Sequence, residues 1–250
     1  MLADGLAGDI LHGPLLQVGP AAQRARLVVG ESQGHGHGYD DTFGATGKGL
    51  AASTPPSGKE DAAMPTHVAL LRGINVGGRN KVAMADLRRV VASLGHTDVA
   101  TYIQSGNVVF TAAETDPDAL AAALERAIAN ALGVRPRVVV LSRAELAQAV
   151  ADNPYADEPD PKAVHAIFLP ARPPSDLVDG VAAVQRQAAQ KGGRDTAQVV
   201  GRTLYLHTPD GYGRSELAAL LSRGRGGTSA AAAGTARNWA TVTTLLALCD

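Results

Sequence analysis

The sequence has few of the residues that build disulfide frameworks, metal clusters or stacking surfaces. Among its 250 residues there is one cysteine, Cys249, so an internal disulfide and a cysteine-based zinc cluster are both excluded. Aromatic residues make up 4% of the chain, and the formal net charge of -1 gives no overall basic field for nucleic acid. No run approaches the roughly 18 apolar residues of a membrane helix, and no signal peptide opens the chain. We therefore expect a soluble, cytoplasmic protein without a membrane partner.

The first 63 residues differ in kind from the rest. Gly, Ser, Thr, Pro and Asp are scattered through them without a periodic apolar face, so we predict a disordered leader over residues 1–63. Within it, residues 15–29 are compatible with a short helix or strand. The stretch HGHGYDD holds competent metal ligands, but its glycine spacing offers nothing to orient them, which favours a disordered tail. Patterned sequence starts directly after Met64, so we hypothesise that Met64 and not Met1 is the native start.

Residues 64–142 alternate between strand and helix patterns. Apolar residues repeat at three- and four-residue steps in two helical segments, 84–94 and 115–132, and Gly95 and Gly133 end them. Thr115 or Asp116 can cap the second of these helices. The strand-like runs lie at 67–75, 99–104, 108–112 and 136–141. The order β-α-β-β-α-β is typical of a ferredoxin-like unit.

A similar pattern follows a connecting segment over residues 143–163. Ser142 and Glu145 predict the capping box of a helix that ends before Pro154, and a proline-rich linker follows. Residues 164–250 then repeat β-α-β-β-α and end in a helix after TARNW, without a clear last strand. RGRGGTSAAAAG is predicted to be a mobile loop. The fold class is therefore α+β, with two tandem ferredoxin-like units of antiparallel sheet, 64–142 and 164–250.

Five segments together resemble one bacterial family, catalogued as domain of unknown function 1697. They are ALLRGINVGGRNKVAMADLR, VATYIQSGNVVF, NPY, YGRSEL and TARNWATVTTL, in that order. The resemblance covers Met64 to about Leu248 and excludes the leader. It implies a conserved cytoplasmic protein of α/β type with no established reaction. The chain departs from the family pattern at Ala240, where a polar residue is usual, and over residues 222–234, which are rich in glycine and alanine.

The segment LLRGINVGGRNKVAM raises the question of a phosphate-binding loop. Gly73 and Gly78 have the spacing of a Walker A loop, but Arg79 and Asn80 stand where Lys and Ser/Thr are needed, which disfavours an NTPase. Asn75 occupies the place of the second glycine of a dinucleotide fingerprint, so that alternative fails as well. A general anion site and a simple turn both remain compatible with this segment.

Cationic and polar residues at predicted turns and helix starts favour the anion site. Arginine grips phosphate or carboxylate in a bidentate manner, and helix N-termini add backbone donors. For any single arginine, however, a solvated surface charge is the better interpretation, or in the case of Arg237 a structural ion pair. The candidate ligand-binding residues are Arg72, Gly73, Asn75, Gly77, Gly78, Arg79, Lys81, Ser105, Asn107, Arg214, Arg237 and Asn238.

The sequence identifies no catalytic residue, metal site or cofactor. Ser105 lacks a recognisable His/Asp partner and the G-x-S-x-G context of a hydrolase. The histidines after residue 64 show no metal spacing, and His207 is predicted to be an ordinary cross-strand residue. Trp239 falls on a helical apolar face, which favours a role in the core. Whether the protein is an enzyme stays open at this point.

Three functions from different classes are compatible with this pattern. The first is binding of a phosphorylated or nucleotide-like small molecule at the glycine turn. The second is single-stranded RNA binding on a ferredoxin-like sheet, although SGNVVFTA lacks the aromatic spacing of the RNA-recognition signature. The third is a protein-interaction module that uses open sheet edges. Oligomeric state is not indicated by any of these features.

Overall fold

The structure, a computed structural model, describes residues 65–250. The predictions for residues 1–63, namely the disordered leader, the element at 15–29 and the interpretation of HGHGYDD, lie outside the described residues. The predicted start at Met64 lies outside them as well.

Strands and helices alternate along the described part of the chain. The strands are β1 (His67–Arg72), β2 (Thr97–Tyr102), β3 (Asn107–Thr111), β4 (Arg137–Ser142), β5 (Val164–Phe168), β6 (Thr196–Val200), β7 (Thr203–His207) and β8 (Thr235–Asn238). The helices are α1 (Met84–Ser93), α2 (Pro117–Leu132), α3 (Arg143–Ala151), α4 (Leu177–Gln190), α5 (Glu216–Arg223), α6 (Ser229–Ala233) and α7 (Trp239–Ala247), and Tyr212–Arg214 forms a 3-10 turn.

The strands form two four-stranded sheets, and every strand pair in them is antiparallel. Sheet 1 has the order β2-β3-β1-β4, and sheet 2 has the order β6-β7-β5-β8. In each sheet the first and third strands in chain order lie side by side at the centre. The protein is therefore of mixed α+β class.

The central strands are buried on both faces, which explains their continuous apolar sequence. In β1, Ala69 and Leu71 pack with α1 and α2, whereas Val68 and Leu70 point to the opposite face of the sheet. Successive side chains of a strand alternate between faces, so a run such as HVALLR serves two cores at once.

One apolar layer lies between the two sheets. It combines Val68 and Leu70 of sheet 1 with Phe168 and Tyr205 of sheet 2, and α3 and α7 contribute further side chains. Helices α4, α5 and α6 cover the other face of sheet 2. Full burial of one such side chain stabilises the fold by about 1.5–3 kcal/mol, so this shared layer joins the sheets firmly.

Local capping signals set the helix boundaries, as the sequence predicts. The Asp116 side chain accepts a hydrogen bond from the Asp118 N–H at the start of α2, and Gly133 ends α2 in the left-handed conformation. Ser142 and Glu145 form the predicted capping box of α3. Trp239 lies in α7 and packs against the central layer, which confirms its predicted core role.

Helix side chains accept hydrogen bonds from backbone N–H groups at two sheet edges. Glu125 of α2 accepts a hydrogen bond from the Val138 N–H of edge strand β4 at 2.9 Å. Gln185 of α4 does the same for the Ala197 N–H of edge strand β6 at 2.8 Å. Each helix therefore covers its sheet and also satisfies a donor at that sheet's edge.

Two sequence predictions about the C-terminal part are wrong. TARN is not merely the lead into a helix: it forms strand β8, which pairs with β5 and completes sheet 2. The supposed mobile loop contains α6, and Thr228 and Ala231 within it are buried. Thr228 binds the Arg225 carbonyl and Ala231 packs against α4 and α5, so tertiary contacts order a segment whose composition suggested none.

Between residues 65 and 250, the structure has no helix long and apolar enough to cross a lipid bilayer.

Candidate functional site

The glycine segment after β1 folds into a short hairpin, defined here as residues 75–80. The Asn75 N–H donates to the Asn80 carbonyl at 3.1 Å, and the Arg79 N–H donates to the Val76 carbonyl at 3.0 Å. Gly77 and Gly78, the two residues at its tip, have φ angles of 56° and 77°. Positive φ at both central positions is what type I′ hairpin turns require, so these glycines are explained by the turn alone.

Asn75 fastens the base of the short hairpin. Its amide group donates to the carbonyls of Val82 and Gln104, both at 3.0 Å, and its amide oxygen accepts from the Val82 N–H at 2.8 Å. Asn75 itself has a φ of 53°, a conformation that Asn tolerates better than most residues. The side chain therefore positions the hairpin, with its donors already used.

A cleft of about 490 Å³ lies beside this hairpin. It opens between the end of β1, the β2–β3 turn, strand β8 and helices α5 and α6. Apolar side chains and glycines make up more than half of its lining, and polar side chains make up the rest. The lining residues are Leu71, Arg72, Gly73, Ile74, Asn75, Val76, Ile103, Gln104, Ser105, Ile167, Tyr212, Ala218, Ser222, Ala231, Ala232, Gly234, Thr235, Ala236 and Arg237.

Arg237 is a partly buried cation that links sheet 2 to sheet 1. It lies in β8, not at a helix start as the sequence predicts, and its guanidinium donates to the Leu71 carbonyl at 2.8 Å and the Ser105 carbonyl at 3.0 Å. It also contacts the Gly106 carbonyl at 3.2 Å and the Asn107 side-chain oxygen. Burial lowers the pKa of Arg237 to about 10.

Neutral dipoles, and no carboxylate, compensate the Arg237 charge. The hydrogen bonds that the structure gives it within residues 65–250 all end on carbonyl or amide oxygens. A structural ion pair, the alternative considered from sequence, is therefore not what holds it. A buried charge without a counter-charge keeps a positive potential at the cleft, since low dielectric screens it poorly.

Arg72 provides a second cation to the same cleft. Its Nη1 donates to the Gly234 carbonyl at 3.0 Å and to the Ala232 carbonyl. These bonds fix the end of β1 to the end of α6, which is the segment that composition alone described as a loop. Arg72 is therefore held in place before any ligand arrives.

Thr235 adds a polar group that lacks a partner. The residue is 1% exposed, and its Oγ1 has no hydrogen-bond partner in the part of the chain that the structure describes. It lies two positions before Arg237 in β8, so both residues share one face of the strand. A buried hydroxyl without a partner costs about 1–3 kcal/mol, which a ligand could recover.

The lining of the cleft contains no acidic side chain. Its ionisable groups are Arg72 and Arg237 together with the Tyr212 phenol. Burial raises the pKa of that phenol, with Arg72 acting in the opposite direction. The cleft is therefore electropositive, and a neutral or cationic ligand would gain nothing from this charge.

Two large apolar side chains stand exposed at the cleft. Val76 of the short hairpin is 65% exposed and Ile103 of the β2–β3 turn is 51% exposed, and both line the cleft. Ile103 also has a φ of 48°, in the left-handed region. This conformation costs a β-branched residue about 1–2 kcal/mol, so the turn holds strain next to the cleft.

The structure brings together five of the residues predicted from sequence and leaves the others outside. Arg72, Gly73, Asn75, Ser105 and Arg237 line the cleft. The residues outside its lining are Gly77, Gly78, Arg79, Lys81, Asn107, Arg214 and Asn238.

Asn107, Asn238 and Arg214 have local roles instead. Asn107 is fully buried and accepts a hydrogen bond from Arg237, so it supports the cleft from behind. The Asn238 side chain caps α7 by accepting from the Thr241 N–H at 2.9 Å. Arg214 ends the 3-10 turn directly before Ser215, the N-cap of α5, and donates to the Asp210 carbonyl at 2.8 Å.

Thr235 is the cleft residue that sequence reasoning missed most clearly. The available signal was its spacing of two from Arg237, which places both on one face if TARN is a strand. A helical lead at TARN, as the sequence predicts, would place the two side chains on different faces. Val76 and Ile103 were missed for another reason: exposed apolar residues look like core residues in a sequence.

Two histidines of sheet 2 lie in partly buried positions. The His165 ring stacks near Tyr212, with 4.3 Å between ring centroids, and its Nδ1 has no partner among residues 65–250. Burial lowers the pKa of His165 to about 4. His207 lies in β7 and is paired with Val164 of β5, as expected of a cross-strand residue. Its ring Nε2 also lies 2.6 Å from a Glu158 carboxylate oxygen.

The sequence was compared with those of known protein families. The family described as "Protein of unknown function (DUF1697)" matches residues 64–205, more than half of the 250 residues. The chain belongs to this family. The match begins where patterned sequence begins and ends in β7, so α5, α6, β8 and α7 follow the matched segment. Among the curated proteins compared, none matches this chain.

A solved structure shares the DUF1697 chain's fold. It is that of a conserved bacterial protein from Streptococcus pneumoniae, 24% identical in sequence, with a TM-score of 0.54. The similarity covers 75% of this chain and 100% of that one. At this identity the comparison concerns the fold alone.

Proposed function

We propose that this DUF1697 chain binds a small anionic molecule, phosphorylated or nucleotide-like, in the cleft beside the short hairpin. One observation carries the proposal: a single cleft without an acidic residue in its lining is lined by Arg72, Arg237 and Thr235, whose hydroxyl has no partner among residues 65–250. Arginine and a hydroxyl are common ligands of phosphate and carboxylate oxygens.

The anchoring of both arginines supports a preorganised site. Because Arg237 and Arg72 are held by backbone carbonyls, neither side chain must be ordered when a ligand binds. Preorganisation of this kind lowers the entropy loss of binding. The proposal concerns binding and assigns no reaction.

We further propose that the two sheets represent tandem ferredoxin-like units, residues 64–142 and 164–250, joined by residues 143–163. Each sheet places its first and third strands at the centre and its second and fourth at the edges, which is the order expected of this fold. The cleft would then lie at the junction of the units, since β1 comes from one and β8 from the other. Ligand sites commonly occur at such junctions.

The burial pattern argues against RNA binding on a sheet face. That mode needs aromatic side chains on an open sheet surface. In sheet 1 and sheet 2 the central strands are covered on both faces, by helices on one side and by the shared apolar layer on the other. A protein partner at a sheet edge stays an alternative.

Thr235 offers the cleanest test of the proposed site. Thr235→Val keeps the shape of the side chain and removes only the unpartnered hydroxyl, so we expect the fold to persist. Calorimetric titration of the full chain with inorganic phosphate and with adenosine 5′-monophosphate should show saturable binding. The affinity should fall about tenfold or more in Thr235→Val, while Thr235→Ser should retain most of it.

Arg126→Gln provides the matched control for charge. Arg126 is exposed on α2, away from the cleft, and its loss should leave both dissociation constants unchanged. Absence of saturable binding of either probe at millimolar concentration would rule out the proposed function. If neither probe binds, tight binding of single-stranded RNA would favour an RNA-binding function.

A further inference from the structure

The lining of the cleft indicates the shape and polarity of its ligand as well as the sign of the ligand's charge. Polar side chains also reach the lining from the two turns and from α5, but aliphatic side chains such as Leu71, Ile74 and Ile167 provide more of the wall. The polar part is therefore smaller than the apolar part. A ligand that matched only the cations would leave most of the cleft without a partner.

Val76 and Ile103 extend this apolar wall into solvent. Among residues 65–250, exposed large hydrophobic side chains are few, and these two meet at one cleft from different turns. Exposed apolar side chains that gather at a cleft are typical of a binding site, whereas single ones are ordinary. The strained backbone of Ile103 is a second feature of the kind that concentrates at functional sites.

A polyhydroxylated ligand body would fit this lining poorly. Dinucleotide-binding folds hold ribose hydroxyls with an Asp or Glu, and no acidic side chain lines this cleft. The Asn75 side chain, which could accept such hydroxyls, is occupied by Val82 and Gln104. The absence of an acidic acceptor from this lining therefore favours a body without many hydroxyl groups.

We infer that the ligand is a small amphipathic anion, with one phosphate or carboxylate head at Arg72, Arg237 and Thr235 and an apolar ring or chain packed against Val76 and Ile103. This inference rests on the proposed function and names its ligand class. It also gives the exposed side chains of the two turns a role as the apolar wall of the site.

Three probes with the same head group test the inference on the full chain. Phenyl phosphate carries an apolar ring, ribose 5-phosphate carries a hydroxylated body, and inorganic phosphate is the head alone. We expect phenyl phosphate to bind about tenfold more tightly than inorganic phosphate, and ribose 5-phosphate to gain no such advantage.

The double variant Val76→Thr with Ile103→Asn tests which residues create the preference. Threonine keeps the shape of valine, and asparagine accepts a φ of 48° more readily than isoleucine, so the fold should be retained. The ratio of the phenyl phosphate and inorganic phosphate dissociation constants should collapse toward one. Val178→Thr, at an exposed valine on α4 outside the cleft, should keep the wild-type ratio.

The outcomes separate the inference from the proposed function. If inorganic phosphate binds but phenyl phosphate shows no advantage, or if ribose 5-phosphate binds best, the amphipathic ligand is wrong and the anion site stands. An unchanged ratio in the double variant also overturns the inference. If none of the three probes binds, the anion site and the inference both fail.

Discussion

At the scale of single residues, Gly106 shows how closely the cleft is built against β1. A Cβ at this position would lie 2.8 Å from the Leu71 Cβ and 2.9 Å from the Ile74 Cδ1, and the φ of Gly106 is 77°. Glycine is therefore required twice, once by the backbone conformation and once by space.

Gly106→Ala should destabilise the protein by about 2–4 kcal/mol, since strain and overpacking add. Gly78 has the same φ of 77°, but no atom lies within 4 Å of the place that its Cβ would take, so Gly78→Ala should lose only about 1 kcal/mol. Urea unfolding of both variants measures the difference. Equal losses would show that crowding at Gly106 contributes nothing.

His165 should make stability depend on pH. Burial lowers its pKa in the folded state to about 4, below its ordinary value of 6.5, so the unfolded chain binds more protons between these values. The stabilisation is complete above pH 6.5 and is lost as the pH falls toward 4. Burial also lowers the pKa of His67 and His96, which act in the same direction.

His165→Phe should reduce this acid sensitivity while keeping an aromatic ring beside Tyr212. The fall in unfolding free energy between pH 7 and pH 4.5 should shrink by up to about 2 kcal/mol, after allowance for partial exposure. Chemical denaturation at the two pH values provides the measurement. A variant with the same fall as the wild type would contradict the assignment.

At the scale of elements, the short hairpin depends on Asn75 more than on its glycines. Asn75→Asp keeps the size of the side chain and its tolerance of positive φ, but turns the donor toward Val82 and Gln104 into an acceptor. We expect faster hydrogen exchange at the Asn75 and Arg79 amides, whose hydrogen bonds define the hairpin. The local loss should be about 1–3 kcal/mol.

Asn80→Asp serves as the comparison for that variant. Asn80 also has a positive φ, but its side chain makes one hydrogen bond, to the Gly73 carbonyl at 2.7 Å. Asn80→Asp should therefore accelerate hydrogen exchange at the Asn75 and Arg79 amides less than Asn75→Asp does. The reverse order would mean that the tip and not the base holds the hairpin.

Elements with strong local signals could be predicted from sequence, and those fixed by distant contacts could not. Asp116, Gly133 and the Ser142–Glu145 pair act on their own helix, so their patterns were sufficient. Strand β8 has four residues and a charged side chain, and pairing with β5 decides its conformation. Helix α6 likewise depends on packing against α4 and α5.

The candidate site was predictable in part for the same reason. Arg72 and Arg237 are predicted as candidate ligand-binding residues because they are arginines at predicted turns and helix starts. Their hydrogen bonds to carbonyls of distant segments have no signal in the sequence. Thr235 gains its meaning from burial, which depends on the closed sheet. Exposure of Val76 and Ile103 is likewise a property of the folded surface.

At the scale of the whole molecule, the shared apolar layer should make both sheets unfold together. Trp239, the single tryptophan, packs against this layer, with 6.3 Å between its ring centroid and that of Tyr205. Tryptophan fluorescence and far-UV circular dichroism should therefore report one coincident transition.

Leu70→Ala in sheet 1 and Phe168→Ala in sheet 2 extend that test. Each removes a fully buried side chain from the shared layer and should lower stability by about 2–5 kcal/mol. In each variant, the fluorescence transition and the dichroism transition should shift by the same amount. A fluorescence transition that responds to Phe168→Ala alone would indicate independent sheets.

The capped edge donors of β4 and β6 have a consequence for behaviour at high concentration. A free edge N–H is a template on which strands of other molecules can add, the first step of aggregation. Because Glu125 and Gln185 occupy one such group on each sheet, they raise the barrier to open-ended strand addition at these edges. The same two side chains that complete a hydrogen bond inside one molecule thus help to keep separate molecules apart.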